Sequence, residues 1–146
     1  MADINFNIET LIEQAIVEVL KADGLNAVLW EDLRQVQLHE VIKVRTVIAD
    51  EEPGTVNTYS ATRCLVDIAV FSSKKQDPKG RSANKTRGLI RKTFYDSSIV
   101  TRLNAVDASL EIYPCGVYPQ GSFTADDDKN WGKGLQFMVV AKTKTE

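Results

Sequence analysis

The sequence predicts an α+β fold in which an antiparallel or mixed four-stranded sheet carries helices packed on one face. Three observations indicate this class. An N-terminal segment has helical apolar spacing, four later segments alternate apolar and polar residues, and a second helical segment separates the strands into two pairs. The predicted order is therefore α-β-β-α-β-β. A chain of 146 residues is typical of one domain with one core, so we assign residues 1–146 to a single domain.

The first helix has the clearest signal in the chain. Apolar residues recur at three- and four-residue spacing from Ile8 to Leu20, with charged residues between them. Asn7 is suited to cap the first turn, and Asp23 followed by Gly24 is suited to end the helix. One apolar stripe must therefore be buried against the sheet.

Two strands are predicted next along the chain. Residues 25–40 are ambiguous between a short helix and an irregular connection, whereas residues 42–48 and 62–71 alternate as half-buried strands do. If these strands form an antiparallel hairpin, Arg45 lies near Asp67 on its outer face. An exposed pair of this kind contributes about 0.2–1 kcal/mol, so we expect it to fix register more than stability.

The second half of the chain repeats this arrangement with a weaker helix. We predict a polar loop at 72–82, a helix at 83–95 and a strand at 106–112. Prolines and glycines then indicate a long loop at 113–134, and the last strand is predicted at 135–142. Loops of this length are usually functional or disordered.

Reactive side chains are scarce. His39 is the single histidine and is tied to no nucleophile by a motif, so we expect a surface or half-buried side chain. With Cys64 and Cys115 it cannot supply the four ligands of a structural zinc site, and we expect both cysteines to be buried free thiols. The first twenty residues lack a basic signal-peptide region, and no apolar run is long enough to span a bilayer. We therefore expect a non-enzymatic protein without cofactor or metal, made in a reducing cytoplasm.

One acidic run has part of the spacing of a calcium-binding loop. Asp126, Asp128 and Asn130 have the alternate spacing of an EF-hand, but Trp131 stands where that loop needs glycine and Phe137 where it needs glutamate. We therefore interpret the run as a solvated acidic loop.

Charge is unevenly distributed although its total is nearly balanced, with 18 Lys and Arg against 20 Asp and Glu. We call residues 74–92 the basic segment; its cations are Lys74, Lys75, Lys79, Arg81, Lys85, Arg87, Arg91 and Lys92. Acidic triplets stand elsewhere, at residues 50–52 and 126–128. Three interpretations remain open: a solvated face, a nucleic-acid surface without interleaved aromatic residues, and a basic face that meets an acidic loop of the next subunit.

The predicted 113–134 loop also carries large aromatic residues. They are Tyr113, Tyr118, Phe123 and Trp131. Tyrosine and tryptophan are enriched at the centres of protein interfaces, which favours a contact role. The alternative, in which the rings cover the sheet edge of their own subunit, is equally compatible with the positions of Tyr113 and Trp131.

Taken in order, these segments resemble the tail terminator, or tail completion, proteins of tailed bacteriophages. The resemblance rests on the helix IETLIEQAIVEVL, the acidic hairpin loop ADEEPGTVNTYS, the strand VDIAVF, the basic helix ANKTRGLIRKTF, the segment IYPCGVYPQG and the closing strand LQFMVVAKT. It spans most of residues 8–142 and is one of pattern and loop placement.

The resemblance implies a structural virion protein of the tail or neck. Such proteins form hexameric rings on the head-proximal end of the tail tube, stop its growth and present a surface to the neck, while DNA passes through the lumen without specific binding. The implied contacts to tube or neck are Asp50, Glu51, Glu52, Tyr118, Phe123, Asp126, Asp127, Asp128 and Trp131. The implied inter-subunit or lumen contacts are Lys74, Lys75, Lys85, Arg87, Arg91 and Lys92. Two alternatives remain: a neck or head–tail connector component, and a small nucleic-acid-binding module that uses the basic segment.

Overall fold

A computed structural model describes residues 8–29, 41–52, 61–124 and 128–143. These residues form a mixed five-stranded sheet and three helices, which confirms the α+β class. The elements are α1 (Ile8–Ala22), β1 (Ala27–Leu29), β2 (Val41–Glu52), β3 (Ala61–Ser73), α2 (Arg81–Phe94), α3 (Ile99–Asn104), β4 (Leu110–Thr124) and β5 (Asn130–Thr143).

The strand order in the sheet is β1-β2-β3-β5-β4. β1 runs parallel to β2, and the other neighbours are antiparallel. The prediction of four strands was wrong by one, because the three residues of β1 are too few to show alternation. β1 lies within the ambiguous segment 25–40, of which residues 30–40 lie outside the described part of the chain.

The predicted boundaries of β4 were also wrong. Residues 99–104 form α3, and the strand runs from Leu110 to Thr124 through most of the segment interpreted as a loop. Pro114 and Pro119 suggested that loop, but β4 ends the sheet, and an edge strand can leave one row of backbone positions unpaired. Two register shifts interrupt its pairing with β5, and Cys115 adopts a φ of 58° within the first.

The helices cover one face of the sheet and form the core there. Ile8, Ile12 and Ile16 of α1 are fully buried, as the apolar stripe predicted. The predicted end of this helix is confirmed, since Gly24 has a φ of 82° and the Leu25 N–H donates to the Leu20 carbonyl at 3.0 Å. The sheet contributes alternate residues to the same core: Ile42, Val44, Cys64, Val66, Ile68, Val70, Leu135, Phe137, Val139 and Ala141.

Candidate functional site

The face of the sheet turned away from the helices carries a line of apolar side chains. Strand register places Val47 beside Leu65, Leu65 beside Met138 and Met138 beside Tyr118. Val47 is 54% exposed and Tyr118 39% exposed, whereas the two central residues are half-buried. We call these four residues the outer-face row. At roughly 4.8 Å between strands, the row extends about 14 Å across the sheet.

A polar row lies next to the outer-face row, two residues along each strand. Arg45 Nε donates to Asp67 Oδ2 at 2.9 Å, and Gln136 Nε2 donates to Asp67 Oδ1 at the same distance. The predicted proximity of Arg45 and Asp67 is therefore confirmed. Because both carboxylate oxygens of the buried Asp67 accept hydrogen bonds, the row holds three adjacent strands in register.

A third row on this face contains a buried ammonium group. Lys43 is fully buried, and its Nζ has no hydrogen-bond partner among the described residues. The Nζ lies over the Phe71 ring, 5.3 Å from its centroid. Burial disfavours the charged form and lowers the pKa of Lys43. Strand alternation alone gave no sign of this burial, since lysine normally marks the solvated side of a strand.

Phe123 lies on the same face as Lys43, opposite Gly134. A Cβ atom added to Gly134 would overlap the Phe123 ring. Phe123 is half-buried and packs on its own sheet, so the glycine serves this close packing.

Trp131 of β5 lies close to Lys133 and to Lys74, which begins the basic segment in the loop that follows β3. Lys74 Nζ and Lys133 Nζ lie 4.6 and 4.8 Å from the centroid of the Trp131 ring. Trp131 Nε1 donates to the Asp77 carbonyl at 2.7 Å, which anchors the ring to its own subunit. Trp131 therefore supplies the aromatic residue that the basic segment lacks in sequence. Lys75 is exposed on the same loop.

Asp77, the single acidic residue of the basic segment, occupies the start of α2. Its carboxylate accepts hydrogen bonds from the Ala83 N–H at 3.1 Å, the Ser82 N–H at 3.2 Å and the Ser72 hydroxyl at 2.9 Å. Burial is the largest single influence and raises its pKa, but the hydrogen bonds together outweigh it and hold the pKa below the usual value. The helix N-terminus is thus filled by the protein's own carboxylate.

Four of the five cations of α2 fall into two stripes. Lys85 and Lys92 are exposed, one heptad apart, whereas Arg87 and Arg91 are half-buried and one turn apart. Burial, followed by repulsion from Arg91, lowers the pKa of Arg87. Nothing in the sequence alone distinguishes the two stripes.

A cleft of about 330 Å³ lies where the three helices meet. Asp23 accepts hydrogen bonds from Thr93 Oγ1 at 2.5 Å and from Arg102 Nη2 at 2.8 Å. The hydrogen bond from Arg102, followed by that from Thr93, lowers the pKa of Asp23, and the same bond raises the pKa of Arg102. These partners are 70 and 79 residues apart, so no local pattern could have predicted the pairing. We interpret this network as a structural one that holds α2 and α3 against the end of α1.

The predicted acidic contacts are dispersed. Residues 50–52 lie at the end of β2 farthest from the loop that follows β3, because the two strands are antiparallel. Asp128 is exposed beside the basic loop, while Asp126 and Asp127 lie outside the described residues. Lys74 donates its backbone N–H to the Lys129 carbonyl at 2.8 Å, so the loop that follows β3 and the turn before β5 lie together.

The described residues include no group of three or more His, Cys, Asp or Glu side chains arranged to hold a metal ion. His39 lies outside that part of the chain. Cys64 is a buried free thiol as expected, but the expectation for Cys115 was wrong, because its edge-strand position leaves it exposed. In the described ranges, no helix is long and apolar enough to cross a membrane.

Comparison with known proteins finds that no protein-family model matches the sequence and that no curated protein matches it.

Proposed function

We propose that this chain is a structural assembly protein of a virion, which forms a ring on the head-proximal end of a tail tube and presents a docking surface to the neck. The observation that carries the proposal is the outer-face row. An apolar line across four strands, exposed at both ends, gains free energy when a partner removes it from water.

The surroundings of the row also favour a contact role. Val47 and Tyr118 are the most exposed members and lie at its two ends, and Tyr118 is one of the contacts implied by the resemblance to tail terminators. The polar row of Arg45, Asp67 and Gln136 is already satisfied internally, so it can border an interface without leaving a buried charge unpaired.

The oligomeric state tests this proposal. Size-exclusion chromatography with light scattering is expected to show a ring, either alone or after purified tail tubes are added. Val47→Asp is expected to abolish assembly while leaving the fold intact, since the side chain is half in solvent. Val106→Asp is the matched control, because Val106 is also exposed and follows α3 away from the row. A protein that stays monomeric at high concentration and ignores tube ends would contradict the proposal.

Electron microscopy of virions that lack this protein separates a terminator from a connector. Overlong tails are expected for a terminator. Detached tails of normal length would instead assign the chain to the neck or head–tail connector.

A nucleic-acid-binding module is the second candidate function, and one observation favours it. The Lys74 and Lys133 Nζ atoms lie 4.6 and 4.8 Å from the centroid of the Trp131 ring, which combines cations with an aromatic ring beside the basic segment. This candidate predicts DNA affinity that falls steeply with salt and drops in the Arg87→Ala/Arg91→Ala variant. DNA affinity that changes neither with salt concentration nor in this double variant would contradict this candidate function.

A further inference from the structure

A groove of about 190 Å³ runs between the C-terminal half of α2 and the edge strand β4. The helix contributes Arg91 and Tyr95 to one wall, and Tyr95 is 60% exposed. The other wall and the floor are formed by Pro119, Gly121, Ser122, Leu135, Gln136 and Phe137. We call this feature the α2–β4 groove.

Arg91 in the groove and Arg87, one turn earlier on the same helix, lack an acidic partner in the described part of the chain. Arg87 lies one turn before Arg91, and no acidic side chain among the described residues pairs with either. The Arg87 Nη2 donates to the Asn84 Oδ1 at 3.3 Å, whereas its Nε is buried without a hydrogen-bond partner in the described structure. By contrast, Arg45 and Arg102 are each paired with an aspartate.

Like charges one helical turn apart repel each other. The pKa of Arg87 is lowered first by burial and second by this repulsion from Arg91. An anion placed against both guanidinium groups offsets this repulsion and supplies the negative charge that neither arginine has beside it. Carboxylates bind guanidinium groups through paired, charge-assisted hydrogen bonds.

The second wall indicates what kind of molecule carries the anion. β4 ends the sheet, and its residues 120–124 contain no proline and are mostly exposed. The outer row of backbone groups of an edge strand pairs with another extended polypeptide. A nucleic acid has no equivalent row, so arginines beside a strand edge favour an acidic peptide segment.

We propose that the α2–β4 groove binds the acidic segment 50–52 of a second copy of this chain, with its carboxylates on Arg87 and Arg91. In an extended segment, the Cα atoms of alternate residues lie about 6.6 Å apart. Residues four apart on a helix are separated by about 6 Å along the axis. Charge and spacing are therefore complementary. The inference rests on the proposed function, because the second copy is the neighbouring subunit of the ring.

Peptide binding tests the groove separately from ring formation. The probe is a fluorescent peptide with the sequence of residues 46–56, TVIADEEPGTV. The receptor is the full chain carrying Asp50→Asn, Glu51→Gln and Glu52→Gln, which removes its own acidic segment as a competitor. Fluorescence anisotropy is expected to show saturable binding. A peptide with the same three neutral replacements is expected to bind at least about tenfold more weakly.

A matched pair of receptor variants locates the site. Arg87→Ala/Arg91→Ala is expected to weaken peptide binding by about tenfold or more. Lys85→Ala/Lys92→Ala removes the same charge from the other, exposed stripe of α2 and is expected to leave binding nearly unchanged. Circular dichroism confirms that both variants are folded.

Equal binding of the neutral peptide, or equal losses in the two variants, would overturn the inference. DNA binding that depends on Arg87 and Arg91, without peptide binding, would also overturn it in favour of a nucleic-acid groove. A ring that forms normally while the peptide fails to bind rejects the groove and keeps the proposed function. Peptide binding by a chain that neither oligomerises nor binds tube ends rejects the proposed function and the second copy as occupant, and leaves only a groove that binds acidic peptides.

Discussion

Arg45 and Asp67 face each other across β2 and β3, with Arg45 Nε 2.9 Å from Asp67 Oδ2. The two partners differ in environment, since the Arg45 side chain is 47% exposed and that of Asp67 only 11% exposed. Asp67 also accepts a hydrogen bond from Gln136, so it connects three strands.

Substitution of this pair is expected to be asymmetric. Arg45→Ala should lower the free energy of unfolding by no more than about 1 kcal/mol, because the arginine is largely solvated. Asp67→Ala should cost about 1–3 kcal/mol, because it leaves the half-buried Gln136 donor unpaired as well. Urea denaturation of both variants measures the difference. Equal losses would show that Gln136 adds nothing to the row.

Removal of the Asp77 carboxylate is expected to loosen the start of α2. Asp77→Ala should lower the free energy of unfolding by about 1–3 kcal/mol, since two helix N–H groups and the Ser72 hydroxyl lose their acceptor. The folded-state pKa of Asp77 lies below its ordinary 3.8. Its contribution is therefore fully present above the unfolded-state pKa and is lost as pH falls through the folded-state pKa.

Denaturation of the wild type and Asp77→Ala at neutral and acidic pH checks this expectation. The difference between them should shrink on acidification. Asp128→Ala is the control, because Asp128 is exposed and lies at the same end of the sheet. A difference that stays constant down to strongly acidic pH would contradict the assigned role.

Lys43 is expected to destabilise the fold while it is charged. Its folded-state pKa is lower than the ordinary value of 10.5. At pH values between the folded-state and the unfolded-state pKa, the unfolded chain binds more protons, so stability rises with pH. Lys43→Met should raise the free energy of unfolding at neutral pH by about 1–3 kcal/mol, because it removes an unpaired buried ammonium and keeps the stem.

The gain from Lys43→Met should diminish as pH rises towards 10.5. Comparison of the two proteins at each pH cancels the titration of all groups that they share. A variant that is less stable than the wild type at neutral pH would show that the ammonium is bound by a partner.

Gly134 and Phe123 are expected to be coupled. Gly134→Ala should cost about 1–3 kcal/mol, because the new Cβ overlaps the Phe123 ring. Phe123→Ala should remove that clash, so the double variant should lose less stability than the two single losses added together. A double-mutant cycle by denaturant unfolding measures this term. Strict additivity would show that the ring and the glycine do not touch.

The local elements were predictable because their signals lie within a few residues. The α1 stripe from Ile8, its end at Gly24 and the pairing of Arg45 with Asp67 all follow from helical or strand periodicity and held in the structure. The prediction of the β4 boundaries was wrong for a physical reason. Pro114 and Pro119 disfavour a central strand but are tolerated at an edge, and the sequence does not state which strand is the edge.

The candidate sites depend on contacts between distant parts of the chain. Periodicity determined the fold class, one buried face for each strand and a basic segment with acidic triplets elsewhere. Tertiary structure alone decided that Trp131 lies beside Lys74, that Arg102 pairs with Asp23, and that Arg91 lines a groove with β4. The physical reason is that charge and apolarity belong to residues, whereas pairing, burial and exposure belong to the packing of elements that the sequence keeps far apart.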